Sequence, residues 1–374
     1  LTVEVPERIN AEGGIEQVLN EDAVRDELRR LAGQQVEAVA VCLLWSIKNP
    51  IHEARVGELI EEVMPGVPYT LSHQLNPILR EYPRASSTAI DASLKPRMQR
   101  HLGELQADLA DIGFAGELLV STVSGGVMHV EDVAGRPIYM VKSGPAMAPR
   151  AGLAYAEAES LSKDVLVVDT GGTTFDVSLV RDGEVKFTRE TWLGPLFYGH
   201  NLGLSSVDVR SVGAGGGSIA WIDSGNSLRV GPRSAGSQPG PACYGRGGVE
   251  PAVTDANLVT GRMAAGAFLG GRRSLDMDLA VKAIDSYIAS PLGLDVHTAA
   301  AGILTIVNSN MATAIRAVSI ERGIDPRDYV MVAGGGAGGL HAAELARMLN
   351  IGEVLIPRSA GGLCAFGMAV TPVR

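Results

Sequence analysis

The sequence predicts an α/β fold in two subdomains, and three observations carry that prediction. Along the first part of the chain, strand-type runs alternate with helical stretches of about a dozen residues. A buried-type strand, Val165-Leu-Val-Val-Asp169-Thr170, enters the turn Gly171-Gly172-Thr173-Thr174 and leaves as Phe175-Asp176-Val-Ser-Leu-Val180. Far downstream, Val330-Met-Val-Ala333 runs into a second cluster, Gly334-Gly335-Gly336-Ala337-Gly338-Gly339, and then a helix. Two strand-glycine units in one chain suggest two walls of a single cleft.

A chain of 374 residues can bury a substantial core and has room for two domains. The helix before the first glycine hairpin places a boundary near residue 160, giving domains 1–160 and 161–374. Hydrophobic residues make up 46%, charged residues 20% and aromatics 5%, with 46 glycines, the composition of an α/β enzyme rich in tight turns. The net charge of −10 argues against nucleic acid or an anionic membrane as partner. Cys42, Cys243 and Cys364 are widely spaced and form no metal motif, which points to reduced thiols in a cytoplasmic protein. No run of about 18 apolar residues occurs and the first residues lack a signal-peptide layout, so a soluble protein is expected. The chain begins without Met inside a strand-like stretch, as if another segment preceded it.

Taken in order, residues 2–8 and 36–45 read as strands around a helix from Glu21 to Leu31. Asn20 is its candidate cap, with acids in the first turn and arginines in the last. A helix from Glu53 to Met64 and a strand from Pro68 to Leu71 complete what reads as a mostly parallel, layered unit. Next, Glu81-Tyr-Pro-Arg84-Ala-Ser-Ser-Thr88 leads into a long helix. Glu81 and Arg84 read either as a local pair at a helix start or as groups facing the cleft. After a strand at 117–123, Ser143-Gly-Pro145 opens another helix.

Residues 199–255 hold glycine clusters interleaved with Trp221, Ile222, Leu228 and Val230, the mark of an ordered irregular region rather than a linker. Asp255 is placed to cap the helix that follows. Helices are expected over 276–289 and 296–321, the second with Ile303, Ile306, Val307, Met311 and Ile315 as a core stripe, and Asn308 and Asn310 bonded to neighbours. His200 and His341 are candidate metal ligands or acid/base groups and Cys243 a candidate nucleophile, but singly the histidines read more readily as structural, and Cys243, with no base evident beside it, does too.

The chemistry concentrates at the first glycine turn. Gly171 and Gly172 let backbone N–H groups approach an anion, Thr173 and Thr174 add hydroxyls, and Asp169 and Asp176 bring two carboxylates able to hold a hydrated divalent cation. A nucleotide with Mg²⁺ is the economical reading; an ordinary hairpin whose glycines merely supply positive φ is the alternative.

These segments, together with Val212-Gly-Ala-Gly215-Gly216-Gly-Ser-Ile-Ala220, Gly231-Pro-Arg-Ser-Ala-Gly236, Pro239-Gly-Pro-Ala-Cys-Tyr244 and Thr254-Asp-Ala-Asn257, resemble the hydantoinase A, or hydantoinase/oxoprolinase, family. The resemblance implies an actin-like ATPase (ribonuclease H-like) fold, with two α/β subdomains around a nucleotide cleft. It implies ATP and Mg²⁺ as cofactors, with Asp169 and Asp176 catalytic and Asp169 on the metal. Gly171, Gly172, Thr173 and Thr174 match the second phosphate turn, and Gly334, Gly335, Gly336, Gly338 and Gly339 the adenosine wall. Glu81, Arg84, Gly215, Gly216 and Asp255 are the residues carried over toward substrate.

The family's earlier phosphate loop has no counterpart in this sequence, so the N-terminal subdomain is expected to be incomplete. The function implied is ATP-dependent hydrolysis of a cyclic amide or imide through carbonyl phosphorylation, on a small-molecule substrate, with a B-type subunit in a homo- or hetero-oligomer. A ketone carboxylase subunit and a non-catalytic ATP-binding regulatory subunit are the alternatives.

Overall fold

The computed structural model describes residues 1–194, 197–267 and 271–371. The chain divides into two compact units, Leu1–Ser143 with Phe187–Val207, and Gly144–Lys186 with Asp208–Thr371. The division falls before the expected boundary near 160, because the Ser143–Ala158 helix packs Ala151, Leu153 and Ala156 onto Val165, Val167 and Val180 of the strands that follow. The 187–207 stretch belongs to the first unit, where Leu202 and Leu204 pack with Leu75 and Ile138.

In the first unit, Asn20 caps the Glu21–Gly33 helix as expected, its Oδ1 accepting from the Ala23 N–H at 3.1 Å. That helix and Ile51–Val63 bury Val24, Leu28, Leu31, Val56, Leu59 and Ile60 with the parallel strands Val39–Val41 and Tyr69–Leu71. The long strands expected over 2–8 and 36–45 shrink to Arg8–Ile9 and Val39–Val41. Pro6 has no N–H to give a ladder, and its carbonyl is taken by Asn20 N at 3.0 Å. Beyond Val41, the Leu43 N–H donates to Glu53 Oε2 at 2.8 Å and the Leu43 carbonyl accepts from Arg84 at 3.0 Å. Buried side chains thus take the backbone groups that a longer strand would have paired.

In the second unit the sheet runs Val209–Val212, Phe175–Arg181, Val165–Thr170, Val330–Gly334 and Val354–Leu355, with Glu184–Val185 beside Phe175–Arg181. Alternation along these strands sorts their side chains between two layers. Leu166, Val168, Val177, Leu179, Met331 and Ala333 share a core with Ile303, Val307, Met311 and Ile315 of the Val296–Val318 helix. Val165, Val167, Val180 and Val332 face the other way, onto Ala151, Leu153 and Leu363. A helix-sheet-helix sandwich results.

With the turn after it, the 296–318 helix is long and apolar enough to cross a membrane by length and composition, with a mean hydropathy of 1.3, yet its stripe is buried in this core. Asn308 and Asn310 find the expected partners, His341 Nδ1 at 2.7 Å and the Val230 carbonyl at 3.3 Å. The helix expected over 276–289 is α-helical only over Met277–Ile284 and widens into a π-turn at Asp285–Ala289.

The 199–255 region is ordered, as expected. Its strands Ser218–Ile222 and Leu228–Ser234 form an antiparallel pair. One carboxylate ties much of the remainder: Asp255, fully buried, accepts the N–H groups of Ala242 at 3.2 Å, Cys243 at 2.8 Å and Ala252 at 2.8 Å. Replacing Asp255 by Ala orphans these donors and is expected to lower stability by about 3 kcal/mol in urea unfolding.

Candidate functional site

The strand pairing of the second unit places the predicted residues. Val165–Thr170 and Phe175–Arg181 are antiparallel with Asp169 directly opposite Asp176, so both carboxylates leave the same face of the sheet. Val330–Gly334 lies parallel to Val165–Thr170 on its other side, with Gly334 opposite Asp169. The glycine turns after these strands are therefore neighbours at the carboxyl ends of adjacent parallel strands, where open α/β sheets bind ligands.

Three backbone segments close around the first turn. Gly171 N–H bonds to the Thr174 carbonyl at 3.0 Å and folds the turn. Behind it, Gly216 N–H reaches the Gly171 carbonyl at 3.0 Å and Gly217 N–H the Gly172 carbonyl at 2.6 Å. A Cβ at Gly215 would sit 2.8 Å from Thr173 N, so only glycine allows the approach. From the second cluster, Ala337 N–H donates to the Thr170 carbonyl at 3.1 Å. Gly335, at φ +83°, lies so close that a Cβ would be 2.2 Å from that carbonyl and 2.5 Å from Asp169 Oδ1. Gly172, Thr173 and Thr174 remain exposed at the tip, and Gly336 is exposed beside them. Gly338 and Gly339 open the Gly338–Leu349 helix.

Asp169 is half-buried, and its Oδ2 accepts from the Cys364 thiol at 3.2 Å. Burial raises the carboxyl above its ordinary range, and the thiol bond pulls it partly back. The Cys364 thiol is itself pushed far up, by burial first and then by the Asp169 charge, so it stays a protonated donor. Thr174 Oγ1 donates to Asp176 Oδ2 at 3.3 Å. Thr170 Oγ1 is fully buried, with no hydrogen-bond partner among the described residues.

Asp169, Asp176, the 171–174 turn, Gly215, Gly216 and the 334–339 turn are thus brought together. The other residues carried over toward substrate are Asp255 in the same unit and Glu81 and Arg84 in the first. Asp255 spends its carboxylate on backbone N–H groups, a structural anchor rather than a free contact. Arg84 belongs to the first unit and is fully buried, donating to Ser46 Oγ at 2.5 Å, Ser72 Oγ at 2.8 Å and the Leu43 carbonyl. Its terminal nitrogens are committed to the fold, the local Glu81–Arg84 pair, one of the two readings, is not among the ion pairs of the described residues, and Glu81 stands exposed. His200 is also exposed in the first unit, and Cys243 is buried against Asp255. Sequence reading missed Cys364 and Thr170; the Gly361-Gly362 pair just after the last strand was the available signal for Cys364.

Residues 84–374 match the hydantoinase/oxoprolinase family and residues 1–64 its N-terminal region. The chain belongs to the hydantoinase/oxoprolinase family. It is 42% identical over 367 residues to the caprolactamase subunit alpha of Pseudomonas jessenii, covering 98% of this chain and 52% of that one. It is 39% identical over 379 residues to the acetophenone carboxylase gamma subunit of Aromatoleum aromaticum, covering 100% and 51%.

Among solved structures, the ATP-dependent caprolactamase of Pseudomonas jessenii superposes with a TM-score of 0.82 at 41% identity, over 99% of this chain and 53% of that one. A nucleotide-free acetone carboxylase superposes with a TM-score of 0.87 at 30% identity, over 98% and 51%. The fold is therefore the actin-like ATPase fold of these neighbours. The chain spans about half the length of the curated relatives it matches.

Ala at Gly335 meets both a left-handed backbone and a blocked Cβ, so Gly335→Ala is expected to destabilise the protein by about 2–4 kcal/mol in thermal or urea melts. His341 is fully buried, and burial, then the Arg262 charge, lowers its pKa from 6.5 to about 4. The fold therefore holds the neutral ring: stability is complete above pH 6.5 and is lost as the pH falls toward 4. The loss is expected at up to about 1.4 kcal/mol per pH unit, and His341→Gln should remove this component of the acid slope.

Proposed function

We propose that this chain carries the nucleotide-binding half of an ATP-dependent enzyme that hydrolyses cyclic amides. The observation that carries the reading is the pairing of Asp169 with Asp176 across one hairpin, beside glycine turns whose tips, Gly172, Thr173 and Gly336, are exposed. The residues fit the groups involved. A Cβ at Gly172 or Gly336 would meet nothing within 4 Å, so open space lies beside both turns, and the buried Thr170 hydroxyl has no hydrogen-bond partner among the described residues. Among the described residues no cluster of three or more metal-type side chains occurs. A pair of carboxylates is nonetheless the protein share that Mg²⁺ takes when phosphates and water complete its shell.

Asp169 and Asp176 would hold the cation, the 171–174 turn would cradle phosphate oxygens, and the 334–339 turn would line the nucleoside. Bound Mg²⁺ would supply charge neutralisation for phosphoryl transfer. The role of the chain is positioning: glycine backbones give close approach, and the interlocked turns fix the donors before charge develops.

The relatives support a lactam or related cyclic amide as substrate, whose carbonyl oxygen would accept the phosphoryl group before water attacks the carbonyl carbon. The similarity to a ketone carboxylase subunit along the whole chain favours carboxylation as the second reading. A further subunit as partner follows from the relatives' subunit names. Phosphate release from ATP by the full-length protein with its partner separates the readings. Stimulation by a lactam with matching ring-opened product supports hydrolysis; stimulation only by a ketone with bicarbonate supports carboxylation. In either assay Asp169→Asn is expected to cut turnover at least about 100-fold, and its thermal midpoint should not fall, since it removes a carboxylate that burial disfavours.

A further inference from the structure

We propose that Cys364 is a positioning residue for the Asp169 carboxylate, setting which oxygen is turned toward the nucleotide-bound cation. This rests on the reading of the Asp169 turn as the nucleotide site.

The geometry constrains both oxygens of Asp169. Oδ2 receives the Cys364 thiol at 3.2 Å, while Oδ1 lies against Gly335, where a Cβ would stand only 2.5 Å away. A carboxylate bonded on one oxygen and crowded on the other has few side-chain rotations left. The next residue, Thr170, carries a fully buried hydroxyl with no hydrogen-bond partner among the described residues, so the end of this strand presents a polar group that those residues do not consume.

Cys364 is also held firmly. It lies in the first turn of the Leu363–Val370 helix, and Leu363 occupies the space over Gly334, where a Cβ would be 2.3 Å from its Cδ2. The Phe366 ring packs on Tyr155 with centroids 4.5 Å apart, and the Tyr155 hydroxyl bonds to Ser359. Gly367 sits against the Met147 carbonyl, where a Cβ would be 2.2 Å away. These contacts anchor the helix to the same layer that supports the Asp169 strand, so the thiol reaches the carboxylate from a fixed frame. A donor on a fixed frame adds orientation without adding charge. Lys or Arg in that place would neutralise the carboxylate and weaken its hold on a cation.

The test is calorimetric binding of ADP to the full-length protein across a Mg²⁺ titration, with Cys364→Ala and Cys364→Ser beside the unmodified protein. Cys364→Ala should need about fivefold more Mg²⁺ for half-saturation, the loss of roughly one hydrogen bond, while its ADP affinity without Mg²⁺ is unchanged. Cys364→Ser keeps a donor and should stay within about twofold of the unmodified protein. The S–H stretch of Cys364 in Raman spectra should shift when Asp169 is replaced by Asn.

Wild-type Mg²⁺ dependence in Cys364→Ala would overturn the inference, as would equal loss of ADP binding with and without Mg²⁺ in both variants. Asp169→Asn separates this from failure of the site itself: if that variant keeps the normal Mg²⁺ dependence, the nucleotide reading fails and Cys364 falls with it. If Asp169→Asn loses the dependence and Cys364→Ala does not, only the positioning role is lost.

Discussion

The parallel pairing of Val165–Thr170 with Val330–Gly334 is the constraint on which the candidate site depends. These strands are separated by more than a hundred residues of sequence, yet their register sets Gly334 opposite Asp169 and brings both glycine turns to one end of the sheet. A slip of one residue would exchange the layers faced by Val168 and Asp169 and bury a carboxylate in the larger apolar core. The valines, leucines and alanines on both faces fix the register by needing burial, and the site inherits its geometry from them.

Glycine serves close approach more than flexibility here. At Gly215, Gly334 and Gly335 a Cβ would strike Thr173, Leu363 or the Thr170 carbonyl, so backbone and side chain meet at distances no other residue permits. The result is a turn held from behind by Gly216 and Gly217 and from the side by Ala337, with its tip open. Such a scaffold suits phosphoryl chemistry, which demands placed donors and charges more than reactive side chains.

Buried polar residues divide by what they bond. Arg84 and Asp255 sit among hydroxyl-rich and glycine-rich text that reads as chemistry, yet each is fully buried and spends its charge on backbone groups and hydroxyls of its own unit. A charge is buried at tolerable cost when its hydrogen bonds are met locally: Asp255 meets that condition with three backbone N–H groups, and Arg84 through its two terminal nitrogens, its buried Nε having no partner among the described residues. Asp169 differs in keeping part of its surface open and, among the described residues, receiving a weak thiol donor.

By itself the sequence determined the α/β class, the hairpin around Gly171 and Gly172, the cap at Asn20, the buried stripe of the 296–318 helix and the residues of the two glycine turns. All of these follow from local periodicity, capping and turn chemistry, which act over a few residues. Only the tertiary structure decided that Asp169 and Asp176 share a face, that Gly335 leans on Asp169, that Arg84 and Asp255 are anchors, and that Cys364 reaches the carboxylate. It also shortened the strands at 2–8 and 36–45, where Pro6 and the side chains of Glu53 and Arg84 claim backbone groups that the periodicity assigned to a sheet. Such outcomes depend on which distant groups meet, and one residue's chemistry does not name its partner until packing and register bring that partner within bonding distance.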